Sequence, residues 1–139
     1  MNRGGGTAVG QFCWVDLAAS DAADAKAFYG QLFGWTPHQQ PANGGSFTRL
    51  RLAGQDVGSL YLLRQVHLDR GVPSHWMPYV RVGDVEAAVR RAVALGGAVI
   101  VPPFSVSGTA DIALILDKVG AEVGLWEPAK SNPAEVADG

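Results

Sequence analysis

The chain has 139 residues, 47% of them hydrophobic and 17% charged, which is enough for one domain with a sizeable core or two small modules sharing one. A formal net charge of −2 argues against a nucleic-acid surface, which needs clustered Lys and Arg. No apolar run reaches the roughly 20 residues that span a bilayer, MNRGGGTAVG has no signal-peptide core, and Cys13 alone excludes an intrachain disulfide framework, so a cytoplasmic address is expected.

In chain order, residues 1–8 are small and polar and are expected to be disordered. The Gly4–Gly6 run has neither the preceding strand nor the following Lys-Ser/Thr of a phosphate loop. FCWVDLAASD, Phe12 to Asp21, then reads as a strand entering a helix. It places Trp14 and Asp16 on one face and Cys13, Val15 and Leu17 on the other, with Cys13 as an inert thiol under the helix layer. After Ser20 and Asp21 as cap candidates, Ala25, Phe28, Tyr29 and Leu32 follow a helical spacing that stops at Gly34, with Phe33 and Trp35 as core residues at its end. SFTRLRLAG and QDVGSLYLLR read as strands. A linker is expected over 67–75 and a new strand from 76. Asp84 opens a second helix carrying Val85, Ala88, Val89 and Ala92, which stops at Leu95–Gly97. GGAVIVPP and DIALILDKVGAEVGLW supply the last strands, with Trp126 packing in the core, and 129–139 form a second polar tail.

Asp21 and Asp84 stand 63 residues apart, and at that offset Leu32 falls on Leu95 and Gly34 on Gly97. Strand, cap, helix length and stop all agree, which predicts an internal duplication. The expected fold is α+β, two tandem βαβββ modules over 9–66 and 76–128.

WVDLAASDAADAKAFYGQLFGW, YVRVGDVEAAVRRAVALGGAVIVPP and LILDKVGAEVGLWEP resemble the vicinal oxygen chelate superfamily, the glyoxalase, bleomycin-resistance and extradiol-dioxygenase group, over roughly residues 9–128. The resemblance implies paired βαβββ modules whose curved sheets enclose a cleft, usually in a dimer. One departure is DKVGAEVG, where Lys118 and Val119 replace part of the usual Asp-Pro-x-Gly turn. The resemblance also implies four cleft-facing positions that carry His, Gln or Glu metal ligands in relatives. Here they hold Trp14, Tyr61, Met77 and Gly124. Indole and glycine offer no ligand, a thioether suits soft copper(I), and one phenol falls short of the three or four ligands a divalent ion takes. The expectation is no cofactor and no metal. A different site built from His67, His75 and Glu122 is weighed against surface or loop-packing histidines, and the latter reading is preferred.

By alternation, the inward face carries Trp14, Asp16, Phe47, Arg49, Arg51, Ser59, Tyr61, Met77, Tyr79 and Arg81, with Val57 and Leu63 beside Ser59. An aromatic-lined concavity with a few polar anchors suits a small organic molecule. Each residue also has a plain reading: Trp14 and Phe47 as cavity fillers, Arg49 or Arg51 as exposed, Arg81 as solvated, Asp16 in a structural pair. A carboxylate beside Trp14, Val15 and Leu17 would lose water on folding, so it is expected to be paired with an Arg, hydrogen-bonded by Tyr79 or Ser59, or open to a wet cleft. The first functional reading is a metal-independent, bleomycin-resistance-like protein, a homodimer that binds a small aromatic or amphipathic molecule through Trp14, Phe47, Arg49, Arg51, Ser59, Tyr61, Met77 and Arg81. The alternative is a metal-independent lyase, isomerase or cyclase with Asp16 as acid or base and Tyr79 assisting. A metal-dependent glyoxalase or dioxygenase is disfavoured by the ligand positions.

Overall fold

The computed structural model describes residues 7–42, 45–106 and 108–129. The expected disordered ends, 1–8 and 129–139, lie outside the described residues apart from Thr7, Ala8 and Ala129. Among the described residues, eleven elements follow one another as β1 (Phe12–Ala19), α1 (Ala22–Phe33), β2 (Thr36–Ala42), β3 (Gly45–Leu52), β4 (Gln55–Leu62), α2 (Gln65–Asp69), β5 (His75–Arg81), α3 (Val85–Ala94), β6 (Ala98–Val106), β7 (Ala110–Leu116) and β8 (Glu122–Pro128). The mixed α+β architecture is the duplicated βαβββ pattern. A short helix, α2, opens before the expected 67–75 linker and runs into it, and β5 starts at the linker's last residue. No described helix is long and apolar enough to cross a membrane.

The chain divides into two compact units, one formed by Trp14–Met77 and the other by residues up to Cys13 together with those from Pro78 onward. In the first, strands lie in the order β2-β3-β4-β1, with β1 parallel to β4 and the other pairs antiparallel. Asp21 caps α1 by accepting from the Asp24 amide at 2.9 Å. Gly34, in the left-handed region at φ 79°, closes the helix through its amide to the Gly30 carbonyl; such a conformation favours glycine. The core beneath α1 is Leu17, Ala19, Leu50 and Leu60, with Ala22, Ala25, Tyr29, Trp35 and Val57 packed against it.

Three expectations are corrected here. Phe28 and Leu32 are exposed at 59% and 57%, so the buried stripe of α1 is Ala22, Ala25 and Tyr29. Phe33 is also half-exposed; it tilts against Trp35 and stacks on Tyr29 at the surface. Val57 lies in the helix-side core and not beside Ser59. The pairing of β3 with β4 slips between Leu50 and Arg51, where Leu50 faces Gly58 but Arg51 faces Asp56. Val57 is therefore the extra residue of a β-bulge, and alternation reverses across it.

In the second unit the order is β5-β8-β7-β6, with β5 parallel to β8 and the rest antiparallel. Asp84 caps α3 by accepting from the Ala87 amide at 3.0 Å, and Glu127 on β8 accepts from the Val85 amide at 2.9 Å. Two of the helix's otherwise orphaned donors are thereby satisfied. Val85, Ala88, Val89 and Ala92 all lie against the core of Ala113, Ile115 and Leu125, as their spacing predicts. The atypical turn after β7 forms without proline: the Asp117 carboxylate accepts from the Val119 and Ala121 amides at 2.9 Å each, and Gly120 takes φ 90°.

Candidate functional site

Residues directly opposite one another on neighbouring strands share a face. In the first unit, the register pairs His38 with Arg49, Arg49 with Ser59, and Ser59 with Asp16. A polar row therefore crosses all four strands, β2 to β1. Its centre is a directed hydrogen-bond chain. The Trp14 indole, which can only donate, gives its Nε1–H to Ser59 Oγ at 2.7 Å. Ser59, buried at 4% exposure, has one hydroxyl proton and gives it to Asp16 Oδ1 at 2.8 Å. Among the alternatives expected for Asp16, hydrogen bonding by Ser59 is the one that forms.

Asp16 forms none of the ion pairs found among the described residues. Burial therefore dominates its titration and pushes the carboxyl up to about 6; the Ser59 hydrogen bond and the nearby His75 imidazole each pull it partly back. His75 Nδ1 lies 2.9 Å from the Pro73 carbonyl, an acceptor only, so Nδ1 carries the proton.

Arg49 and Arg51 share the carboxylate of Asp56. Arg49 Nη1 approaches Oδ2 at 2.7 Å and Arg51 Nε approaches Oδ1 at 3.3 Å, with both arginine side chains about a third exposed. Arg51 also donates to the Gly54 carbonyl. Strict alternation along QDVGSLYL would turn Asp56 to the helix side, and the Val57 bulge brings it to the arginine face. Asp56 was therefore not foreseen, nor was the influence of His75 on Asp16, which depends on how the segment before β5 returns to the sheet.

Among the apolar residues assigned to this face, Phe47 and Tyr61 stand two residues from Arg49 and Ser59 on β3 and β4, hence on the same side, and Tyr61 is half-buried. Met77 is buried at 5% exposure. Tyr79 and Arg81 belong to the second unit. The Tyr79 ring lies over Gly124, where an added Cβ would run into its ring carbons, and meets Trp126 edge-on at 5.7 Å. Arg81 Nη1 donates to the Thr7 carbonyl at 2.6 Å, which ties down the segment before β1. Cys13 is half-buried, and burial raises its thiol's titration while the Arg81 charge opposes the shift.

The four residues that the resemblance implies as ligand positions offer an ion too few donors. Trp14 is engaged with Ser59, Gly124 is covered by the Tyr79 ring, and Tyr61 and Met77 leave too few donors. Nor do His67, His75 and Glu122 gather: among the described residues no three His, Cys, Asp or Glu side chains stand close enough to hold one.

The sequence and the fold have known counterparts. The glyoxalase-like domain family matches residues 14–124. The Mycobacterium tuberculosis (strain CDC 1551 / Oshkosh) protein named "Putative glyoxylase CFP32" is 36% identical over 116 residues, covering 82% of this chain and 44% of that protein. The anthracycline biosynthesis protein DnrV of Streptomyces peucetius is 30% identical over 93% of this chain and 51% of its own length. The chain thus spans about half the length of the curated relatives it matches. Among solved structures, methylmalonyl-CoA epimerase from Mycobacterium tuberculosis superposes with TM-score 0.64 at 20% identity, covering 89% of this chain and 92% of that one. A variant of the Streptomyces coelicolor methylmalonyl-CoA epimerase, in complex with 2-nitronate-propionyl-CoA, superposes with TM-score 0.62 at 18% identity over 88% of this chain and all of that one. With the duplicated βαβββ fold and a family match over most of its length, the chain belongs to the glyoxalase-like domain family of the vicinal oxygen chelate superfamily.

Proposed function

We propose that this protein binds a small aromatic or amphipathic organic molecule against the Trp14–Asp16–Ser59 face and that Asp16 moves a proton on it without a metal ion. The observation that carries the reading is the directed chain from Trp14 through Ser59 to Asp16. The chain fixes the orientation of a carboxyl that lacks a countercharge partner. Because Ser59 occupies Oδ1, Oδ2 is the atom that takes the proton. A carboxylate titrating near 6 is a stronger base than an ordinary aspartate and still largely ionised at neutral pH. The reaction class is proton removal from a carbon beside a carbonyl: the proton passes to Asp16 Oδ2 and the C–H electron pair moves into the carbonyl as an enolate. Return of the proton, or expulsion of a leaving group, completes an isomerisation or a lyase reaction. The naming of one relative for anthracycline biosynthesis and the presence of epimerases among the structural neighbours support a carbonyl-bearing ligand. A homodimer, common in the superfamily, completes the reading.

The test is proton exchange in D2O against a panel of aromatic ketones, β-keto acids and 2-substituted malonyl thioesters. Deuterium should enter the carbon acid with wild-type protein after exhaustive chelation and should not enter with Asp16→Asn. Exchange that disappears on chelation and returns with a divalent ion would overturn metal independence. A second reading, binding without turnover, is favoured by the aromatic lining alone. It predicts saturable binding in both proteins and exchange in neither.

A further inference from the structure

We propose that Arg49 and Arg51 form a subsite for an oxyanion carried by the ligand, so that the molecule bound on this face is an organic acid. Two guanidiniums there share one carboxylate, Asp56, which leaves the cluster a net positive charge. Their donors are also incompletely used. Arg49 Nε is buried with no acceptor, and Arg51 Nε is buried near Asp56 Oδ1 but outside hydrogen-bonding direction. A buried donor without an acceptor costs its full desolvation, and a carboxylate or phosphate oxygen is the group that guanidinium geometry fits best.

A surface ion pair with Asp56 on their face would need only one of these arginines. It is the Val57 bulge that carries Asp56 there, and bulges of this kind recur where a strand re-aims a functional side chain. The location also suits a ligand. Arg49 is the direct neighbour of Ser59, and Ser59 of Asp16, so the cation and the carboxyl stand on strands about 10 Å apart at the backbone. A molecule with an acid group at one end and a reactive C–H toward the other would span that distance. The last point rests on the Asp16 reading; the anion subsite does not.

The experiment is calorimetric titration of the intact chain with three probes: 1-naphthoate, its neutral amide, and 1-naphthyl phosphate. Naphthoate should bind roughly tenfold or more tightly than the amide, the effect of a charge-assisted hydrogen bond. The preference should vanish in Arg49→Gln/Arg51→Gln. It should stay absent when Asp56→Asn is added, which removes repulsion by the bare carboxylate as the cause. Asp56→Asn alone, which frees both guanidiniums, should strengthen acid binding. Arg49→Lys keeps the charge without the planar fork and should lie between, with near-ultraviolet circular dichroism confirming the fold. The phosphate and carboxylate arms tell which oxyanion the pair prefers, and either preference supports the subsite if it depends on the arginines. Equal affinity for acid and amide, a preference that survives loss of both arginines, or no saturable binding of either acid overturns the proposal. Asp16→Asn should retain the acid preference. Absence of exchange in the wild type with the acid preference intact condemns the Asp16 reading alone, and wild-type exchange without an arginine-dependent acid preference condemns only the subsite.

Discussion

Asp16 holds a proton more readily in the folded chain than in the unfolded one, and the consequence for stability has a definite sign. Its carboxyl titrates near 6 in place of the ordinary 3.8. Between those values the native state binds more protons than the denatured state, so wild-type stability falls as pH rises from about 4 to about 6 and is level above that. A difference of roughly two units corresponds to about 3 kcal/mol at most. Asp16→Asn, which cannot ionise, should therefore melt at a higher temperature than wild type at pH 7, with the gap closing below pH 4. Melting at a lower temperature at pH 7 would show that Asp16 is a structural charge. Ser59→Ala removes the acceptor for Trp14 and the donor to Asp16 Oδ1. It should cost about 1–2 kcal/mol and, because that hydrogen bond holds the titration down, raise the Asp16 midpoint further. A pH series of denaturant melts on both variants reads these effects.

At the scale of elements, helix caps and strand faces were legible where local rules act alone. Asp21 and Asp84 cap their helices as their spacing predicts, and Trp14 and Asp16 share a face because β1 alternates without interruption. Alternation failed at Val57, where one inserted residue reversed the sides of β4, set Val57 against the helix-side core and turned Asp56 to the arginine face. The one available signal is Gly58, since an isolated glycine inside a strand often marks a bulge or a close backbone approach. The exposure of Phe28 and Leu32 was hidden, since a helical stripe shows periodicity but not which of two adjacent apolar rows meets the sheet. The pairing of β5 with β8 has a sharper requirement, because Gly124 lies under the Tyr79 ring with no room for a side chain. Gly124→Ala should destabilise by about 1–3 kcal/mol through overpacking. Gly83→Ala, where a Cβ meets nothing within 4 Å, should be close to neutral in the same chemical denaturation assay. The two strands at the ends of the sheet order, β2 and β6, each contain two prolines, residues that discourage a sheet edge from recruiting another strand.

At the scale of the molecule, duplication has produced two units with one topology and different contents. The first carries a polar row with a raised carboxyl. The equivalent part of the second is taken up by Tyr79, Gly124 and Trp126. The hydrogen-bond partner of Trp14 and the ring that covers Gly124 were not legible in the sequence, because they depend on register. The proposed homodimer predicts that light scattering on the intact chain returns twice the chain mass. Most depends on Asp16 being a base tuned close to neutrality by its surroundings. Carbon-13 NMR titration of the aspartate carboxyls, with Asp16 assigned by its loss in Asp16→Asn, measures that property directly. A midpoint near 6 is the predicted result, and a midpoint near the ordinary 3.8 would contradict it, leaving Asp16 an ordinary carboxylate.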